Sequence, residues 1–320
     1  MPVNADKPHL WKEDIVKSVD FYNDWFMRFA PKAYRDTRIE TTKHVEFSLK
    51  RTANLTDITP TLLRQHPSVL PILRMSTAPP IARDRLIGLA GVSPNLVKNM
   101  EIEKRIPPRM NDTALDNDLK KIGQIIMVLA DKDIFPWLDS GKKPINKEIH
   151  RAATIVADRL CGAMADPIIR NEQEKRQLAA LKKWLEQRGY SHAKAMKGDK
   201  FDVMKPGTFS FRLNVPVKLE GEAKQVNIPV DTVIMPLKAK SGDLPLLIEA
   251  KSAGDYTNTN KRRKEEATKI AQLKRNYGAK IRFVLLLCGY FDSGYLGYEA
   301  AEGIDWVWEH RIDDLAKFGV

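Results

Sequence analysis

LLIEAKSAGDYTNTNKRRKEE, residues 246–266, is the stretch on which the reading of this chain turns. Its first three residues are apolar, as in a buried β-strand, and they run straight into Glu249 and Lys251, two residues apart. Side chains alternate across a strand, so Glu249 and Lys251 leave one face while Ala250 leaves the other. A carboxylate and an ammonium side by side on a core strand, followed by a polar and basic run, call for an explanation beyond packing.

Working outward, the preceding run Ile228-Pro229-Val230-Asp231-Thr232-Val233-Ile234 sets a lone acid inside another apolar strand. A hairpin through the turn-prone Lys240-Ser241-Gly242-Asp243 would bring Asp231 and Glu249 onto one sheet face. Two carboxylates about 4 Å apart repel by roughly 4 kcal/mol at an effective dielectric near 20, so a cation between them is the economical arrangement. Oxygen donors without a nearby His or Cys favour magnesium over zinc. Lys251 would then stand beside the metal, orienting a water or stabilising charge on a phosphate. The plain alternative, a salt bridge at a strand end, leaves the acid in the neighbouring strand unexplained.

The surroundings read as a helix over 171–187, strands over 208–217, 226–235 and 244–248, a charged helix over 260–277 and a strand over 281–287, with 304–308 as an additional strand. That order, αβββαβ, predicts an α/β (α+β) fold with a mixed central sheet. Residues 9–160 read mainly as helices, with apolar spacing such as Trp11, Ile15, Val19, Tyr22 and Phe26, broken at prolines including Pro31, Pro60 and Pro136. The shift in composition predicts a mostly helical region over 1–165 and a mixed α/β region over 166–320.

In the helix before the strands, Leu178, Leu181 and Leu185 form an apolar stripe. Glu174, four residues before Leu178 and seven before Leu181, falls on that stripe and is expected to face the sheet. Otherwise it is an ordinary N-terminal acid interacting with the helix dipole.

The 320 residues, 43% of them hydrophobic, suffice for a sizeable core. Fifty-three Lys and Arg against 41 Asp and Glu give a formal charge of +12, which favours a polyanionic partner, nucleic acid first. Cys161 and Cys288 lack CxxC partners, so neither a disulfide framework nor a zinc site is indicated, and a reducing cytoplasm fits. The N-terminus lacks the apolar core of a signal peptide, and no apolar run is long enough to span a bilayer. No membrane association is expected.

Asp231 with Glu249-Ala250-Lys251 resembles the PD-(D/E)xK nuclease signature, although Val230 separates Pro229 from Asp231 where the family often has Pro-Asp. Segments along the chain, HLWKEDIVKSVDFYNDWFMRFAP, IIRNEQEKRQL, IEAKSAGDYTNTNKRRKEEATK and CGYFDSGYLGYEAAEGIDWVWEHRIDDL, resemble the XamI-type family of type II restriction endonucleases. The resemblance implies a restriction-endonuclease-like core and magnesium-dependent, sequence-specific cleavage of double-stranded DNA. It implies metal ligation by Asp231, Glu249, the Ala250 carbonyl and Glu174, with Lys251 assisting the attacking water. It further implies a homodimer on a palindromic site, a cognate DNA methyltransferase, and a prokaryotic cytoplasmic setting. A repair or structure-specific nuclease would share these residues; a non-catalytic helix-turn-helix protein would not need them.

For DNA contact the expected residues are Ser252, Tyr256, Asn258, Asn260, Lys261, Arg262, Arg263 and Lys264, whose amides, hydroxyls and cations suit bases and phosphates, unless the run is a solvated helix start. Residues 83–98 have the texture of helix-turn-helix, with Ser93 as N-cap and Pro94 at the first helical position. Tyr290, Phe291, Tyr295, Tyr298, Trp306 and Trp308 are expected as core aromatics, and the six histidines show no metal-ligand spacing.

Overall fold

The computed structural model describes residues 2–194, 200–219, 225–257 and 259–320, and the side chains of 163–166 and 260–263 lie outside that description. The helices are α1 (Pro8–Arg51), α2 (Pro60–Gln65), α3 (Leu70–Met75), α4 (Arg83–Ala90), α5 (Pro94–Lys98), α6 (Asp112–Leu129), α7 (Trp137–Ser140), α8 (Asn146–Glu186), α9 (Thr259–Tyr277) and α10 (Ser293–Ala301). The strands are β1 (Ser191–His192), β2 (Thr208–Lys218), β3 (Gln225–Ile234), β4 (Leu246–Ala253), β5 (Arg282–Gly289) and β6 (Asp305–Trp308). Among the described residues no helix is long and apolar enough to cross a membrane.

The chain folds as two compact units, one formed by Met1–Ala30 with Ile169–Val320 and the other by Pro31–Ile168. The first 30 residues therefore group with the sheet, and both boundaries fall inside helices, α1 and α8. Pro31 and Pro167 lie within those helices, where breaks were expected. An internal proline costs about 3 kcal/mol in a helix. In α1, buried Tyr22 and Trp25 before the proline and Val45 and Leu49 after it anchor the helix through packing that offsets this cost.

The second unit is helical and closes around Leu49, Leu63, Leu73, Leu86, Leu96, Leu119, Ile122 and Ile126, all essentially inaccessible. The Asn111 side chain caps α6 by accepting from the amides of Thr113 and Ala114 at 3.0 and 3.3 Å. α4 ends on Gly91 in the left-handed region, as a helix-turn-helix turn requires. Ser93, however, makes no side-chain cap; its carbonyl accepts from Leu96 instead, and α5 runs on as a π-helical turn over Asn99–Glu103.

The sheet of the first unit is mixed, with strand order β1-β2-β3-β4-β5-β6. β2, β3 and β4 are antiparallel to their neighbours in that group, whereas β4-β5 and β5-β6 are parallel. One face packs Val233, Leu247, Leu285 and Leu287 against Ile270 and Leu273 of α9 and Tyr295 and Leu296 of α10. The other packs Ile234, Ile248, Val284 and Leu286 against Leu181, Trp184 and Leu185 of α8. The expected aromatics Phe291, Tyr295, Trp306 and Trp308 are fully buried in the first of these cores.

Candidate active site

Alternation fails at one place in β2. Phe209 packs on the α8 face, while Leu213, Val215 and Val217, of the same parity, pack on the α9 face. The break is at Arg212, whose φ of 53° is left-handed and rare for a side-chain-bearing residue. The β2-β3 ladder correspondingly passes from Phe211–Thr232 to Leu213–Val230, leaving Arg212 and Asp231 opposite one another without a ladder pair.

A second interruption lies across β3. The β3-β4 ladder ends at Thr232–Ile248, one step short of Asp231 and Glu249, whereas β4 continues beside β5 to Ala253–Gly289. Glu249 and Lys251 thus stand where one ladder ends and in the middle of another, not at the end of the strand itself. In the fork, Asp231 Oδ2 accepts the Ala250 amide at 2.9 Å, which ties the acid to the backbone of β4.

Glu249 is 7% exposed. Its Oε1 lies 2.7 Å from Lys269 Nζ and 3.2 Å from Lys251 Nζ, while its Oε2 is buried without a hydrogen-bond partner among the described residues. Lys251 Nζ lies 2.8 Å from Glu266 Oε1 on α9. Burial pushes the Asp231 carboxyl up, and the Glu249 charge pushes it further, to about 6, against the opposing effect of the Ala250 amide. Burial works to lower the Lys251 pKa, but the charges of Glu249 and Glu266 outweigh it and hold the ammonium above its ordinary value.

Asp231, Glu249 and Lys251 therefore share one site. Glu174 takes a different partner: its Oε1 accepts from Arg212 Nη2 at 2.6 Å and Nε at 3.1 Å. Its charge is a lesser contributor to the raised Asp231 pKa. The buried stripe of α8 runs through Gln173, Gln177, Leu181 and Trp184, which leaves Leu178 and Glu174 half-buried beside it. Gln177 Nε2 reaches the main chain of the site, donating to Leu286 O at 3.2 Å and Lys251 O at 3.4 Å.

Of the residues expected to touch DNA, Ser252 is half-buried on β4, Lys264 is exposed on α9, and Tyr256 is 44% exposed and packs edge-on against Tyr290. Asn258 and the side chains of Asn260, Lys261, Arg262 and Arg263 lie outside the described residues.

A cation fits the two acids. The donors are oxygens, one of them buried and unsatisfied, and the second carboxyl is lifted by burial and then by the charge of the first. Among the described residues no group of three or more His, Cys, Asp or Glu converges as a complete cage.

Sequence reasoning overlooked Arg212, Glu266 and Lys269. Nothing in the residue types around Arg212 announces a left-handed backbone. Glu266 did carry a signal: with Ile270, Leu273 and Tyr277 it follows helical spacing, so it is an acid on an apolar stripe.

Comparison with known proteins gives this geometry a family. The XamI restriction endonuclease family matches residues 53–308. The chain is 56% identical over 317 residues to the type II restriction enzyme SalI from Streptomyces albus G, an alignment covering 99% of each protein. An alignment with the crystal structure of protein VC1899 from Vibrio cholerae covers 80% of this chain and 55% of that one, at 13% identity and a TM-score of 0.29, too low to establish a common fold. A match over most of its length, and a relative of this identity end to end, establish that the chain belongs to the XamI restriction endonuclease family.

Proposed function

We propose that the fork between β3 and β4 is where this type II restriction endonuclease hydrolyses the phosphodiester bonds of double-stranded DNA, with Asp231 and Glu249 holding magnesium and Lys251 beside it. Membership of the family makes the chain a site-specific deoxyribonuclease. Type II restriction endonucleases generally require a divalent metal, and the all-oxygen donor set favours magnesium. The observation that carries the reading is the unsatisfied, buried Glu249 Oε2 beside an Asp231 anchored to the next strand.

Each side chain has a definable part. Asp231 would offer Oδ1 to a cation, because Oδ2 already accepts from the Ala250 amide. Glu249 offers Oε2, while Oε1 is neutralised by Lys269 and Lys251. The Ala250 carbonyl and Glu174 complete the proposed ligands; Glu174 joins if Arg212 releases it to contact a phosphate. Magnesium, when bound, supplies a Lewis acid that makes a coordinated water more acidic and stabilises the added charge on phosphorus. Lys251 directs its ammonium at that water and at the developing charge. As the water oxygen bonds to phosphorus and gives its proton to solvent, the P–O ester bond breaks and the departing ester oxygen takes up a proton from solvent.

Ser252, Tyr256, Asn258, Asn260, Lys261, Arg262, Arg263 and Lys264 are proposed to contact DNA as the chain leaves β4 and enters α9. The helical residues 1–165 are assigned recognition or dimerisation, and 166–320 the nuclease core. A two-fold homodimer would offer one site to each strand of a palindrome. A cognate methyltransferase would protect host DNA in the cytoplasm.

Plasmid or phage DNA incubated with the protein should yield discrete, reproducible bands in magnesium and none in EDTA. Asp231→Ala and Lys251→Ala should abolish those bands while leaving calcium-supported DNA binding within about threefold, since both act on the reacting phosphate rather than on recognition. Wild-type cutting by either variant would refute the site.

A further inference from the structure

We propose that Glu266 is a positioning residue of the active site, sharing the Lys251 ammonium with Glu249 and so keeping it from collapsing onto that carboxylate and away from the reacting phosphate. The inference rests on the assignment of Lys251 and Glu249 to the metal-phosphate site.

Four charges alternate along β4 and α9. Lys269 Nζ lies 2.7 Å from Glu249 Oε1, Lys251 Nζ lies 3.2 Å from the same oxygen, and Glu266 Oε1 lies 2.8 Å from Lys251 Nζ. Glu266 and Lys269 are three residues apart on α9 and so share a face. The shorter Lys251 contact is the one to Glu266, so the ammonium leans toward the helix. With Glu266 neutral, the strongest remaining attraction on Lys251 is Glu249, and the ammonium would settle on the carboxylate proposed to hold the metal.

Stability does not account for an acid at this position. Glu266 is fully buried on the apolar stripe of α9, and its Oε2 has no hydrogen-bond partner among the described residues. Glu299 of α10, equally buried, faces it closely enough for the Glu266 charge to raise its pKa. Replacing both members of a buried ion pair by apolar residues of similar volume is often neutral or stabilising, so packing alone does not call for the Lys251–Glu266 pair. A fold selected only to pack would do as well with apolar residues at both positions.

The test uses the full-length protein and three variants, Glu266→Gln, Glu266→Met and Lys251→Ala, with steady-state cleavage in magnesium, DNA affinity in calcium, and thermal unfolding. Glu266→Gln should lower kcat about a hundredfold, the scale of a lost electrostatic contribution at the transition state. KM and the calcium Kd should stay within about twofold, with the variant still folded at the assay temperature. If the glutamine variant does not fold, the methionine variant, which fills the same space without charge, is held to the same outcome. Cleavage at the wild-type rate by a folded Glu266 variant, with Lys251→Ala inactive, would overturn this proposal alone. A rate loss matched by an equal rise in KM, or one that tracks lost stability, would also overturn it, since packing would then be the explanation. Wild-type cleavage by Lys251→Ala would instead overturn the underlying site.

Discussion

Glu299 shows how the environment of one side chain becomes a property of the whole protein. Burial, followed by the charge of Glu266, lifts its carboxyl from an ordinary 4.5 to about 8. In the unfolded chain the group ionises near its ordinary value; in the folded protein it keeps its proton until about 8. Between those two pH values the unfolded chain binds fewer protons than the native one, so this group makes stability fall as pH rises through the window. Glu299→Gln removes the penalty. Its melting temperature should gain on the wild type progressively from 4.5 to about 8, and parallel curves across that range would contradict the assignment. The residues of the fork differ in how far they were legible. Asp231, Glu249 and Lys251 stood out because they interrupt apolar runs of strand period. Glu266 was hidden inside KRRKEEATK, where its neighbours made it look like part of a solvated face.

At the level of elements, α9 has two tasks, because one face packs the sheet through Ile270 and Leu273 while Glu266 and Lys269 reach the charges of β4. Leu273→Ala should therefore cost about 2–5 kcal/mol by the usual cavity penalty for a fully buried leucine. A urea titration reads the loss of stability. Cleavage measured well below the melting temperature should fall with it, because the helix carrying two of the four site charges is less firmly seated. Unchanged cleavage would mean that α9 does not position those charges. The chain order of the main strands and the helix α9 were readable from period and turn chemistry. The two long helices were not, since Pro31 and Pro167 advertise breaks that packing overrides. The extent of β4 was also underestimated, because its continuation past Glu249 depends on a partner, β5, that lies far along the chain.

Over the whole molecule the formal charge of +12 sets the conditions of DNA binding. Affinity should fall steeply with salt, log K decreasing by about 0.9 per phosphate neutralised for each unit of log salt. Titration from low to physiological salt would test this, and a flat response would remove the basic surface from the account of binding. Composition made that expectation plain, yet it could not say that residues 1–30 group with the sheet, because that grouping rests on tertiary interactions such as Ser18 Oγ accepting from the Gly289 amide. The strand order has a last consequence, for biosynthesis. Each strand pairs with the one made just before it, so the sheet can be laid down in the order of translation without threading a strand between two others. Asp231, Glu249 and Lys251 come together once β4 is laid, but Lys269 and Glu266, which complete the charges of the site, arrive only with α9. The charges of the site are thus complete only well after its two acidic residues have left the ribosome.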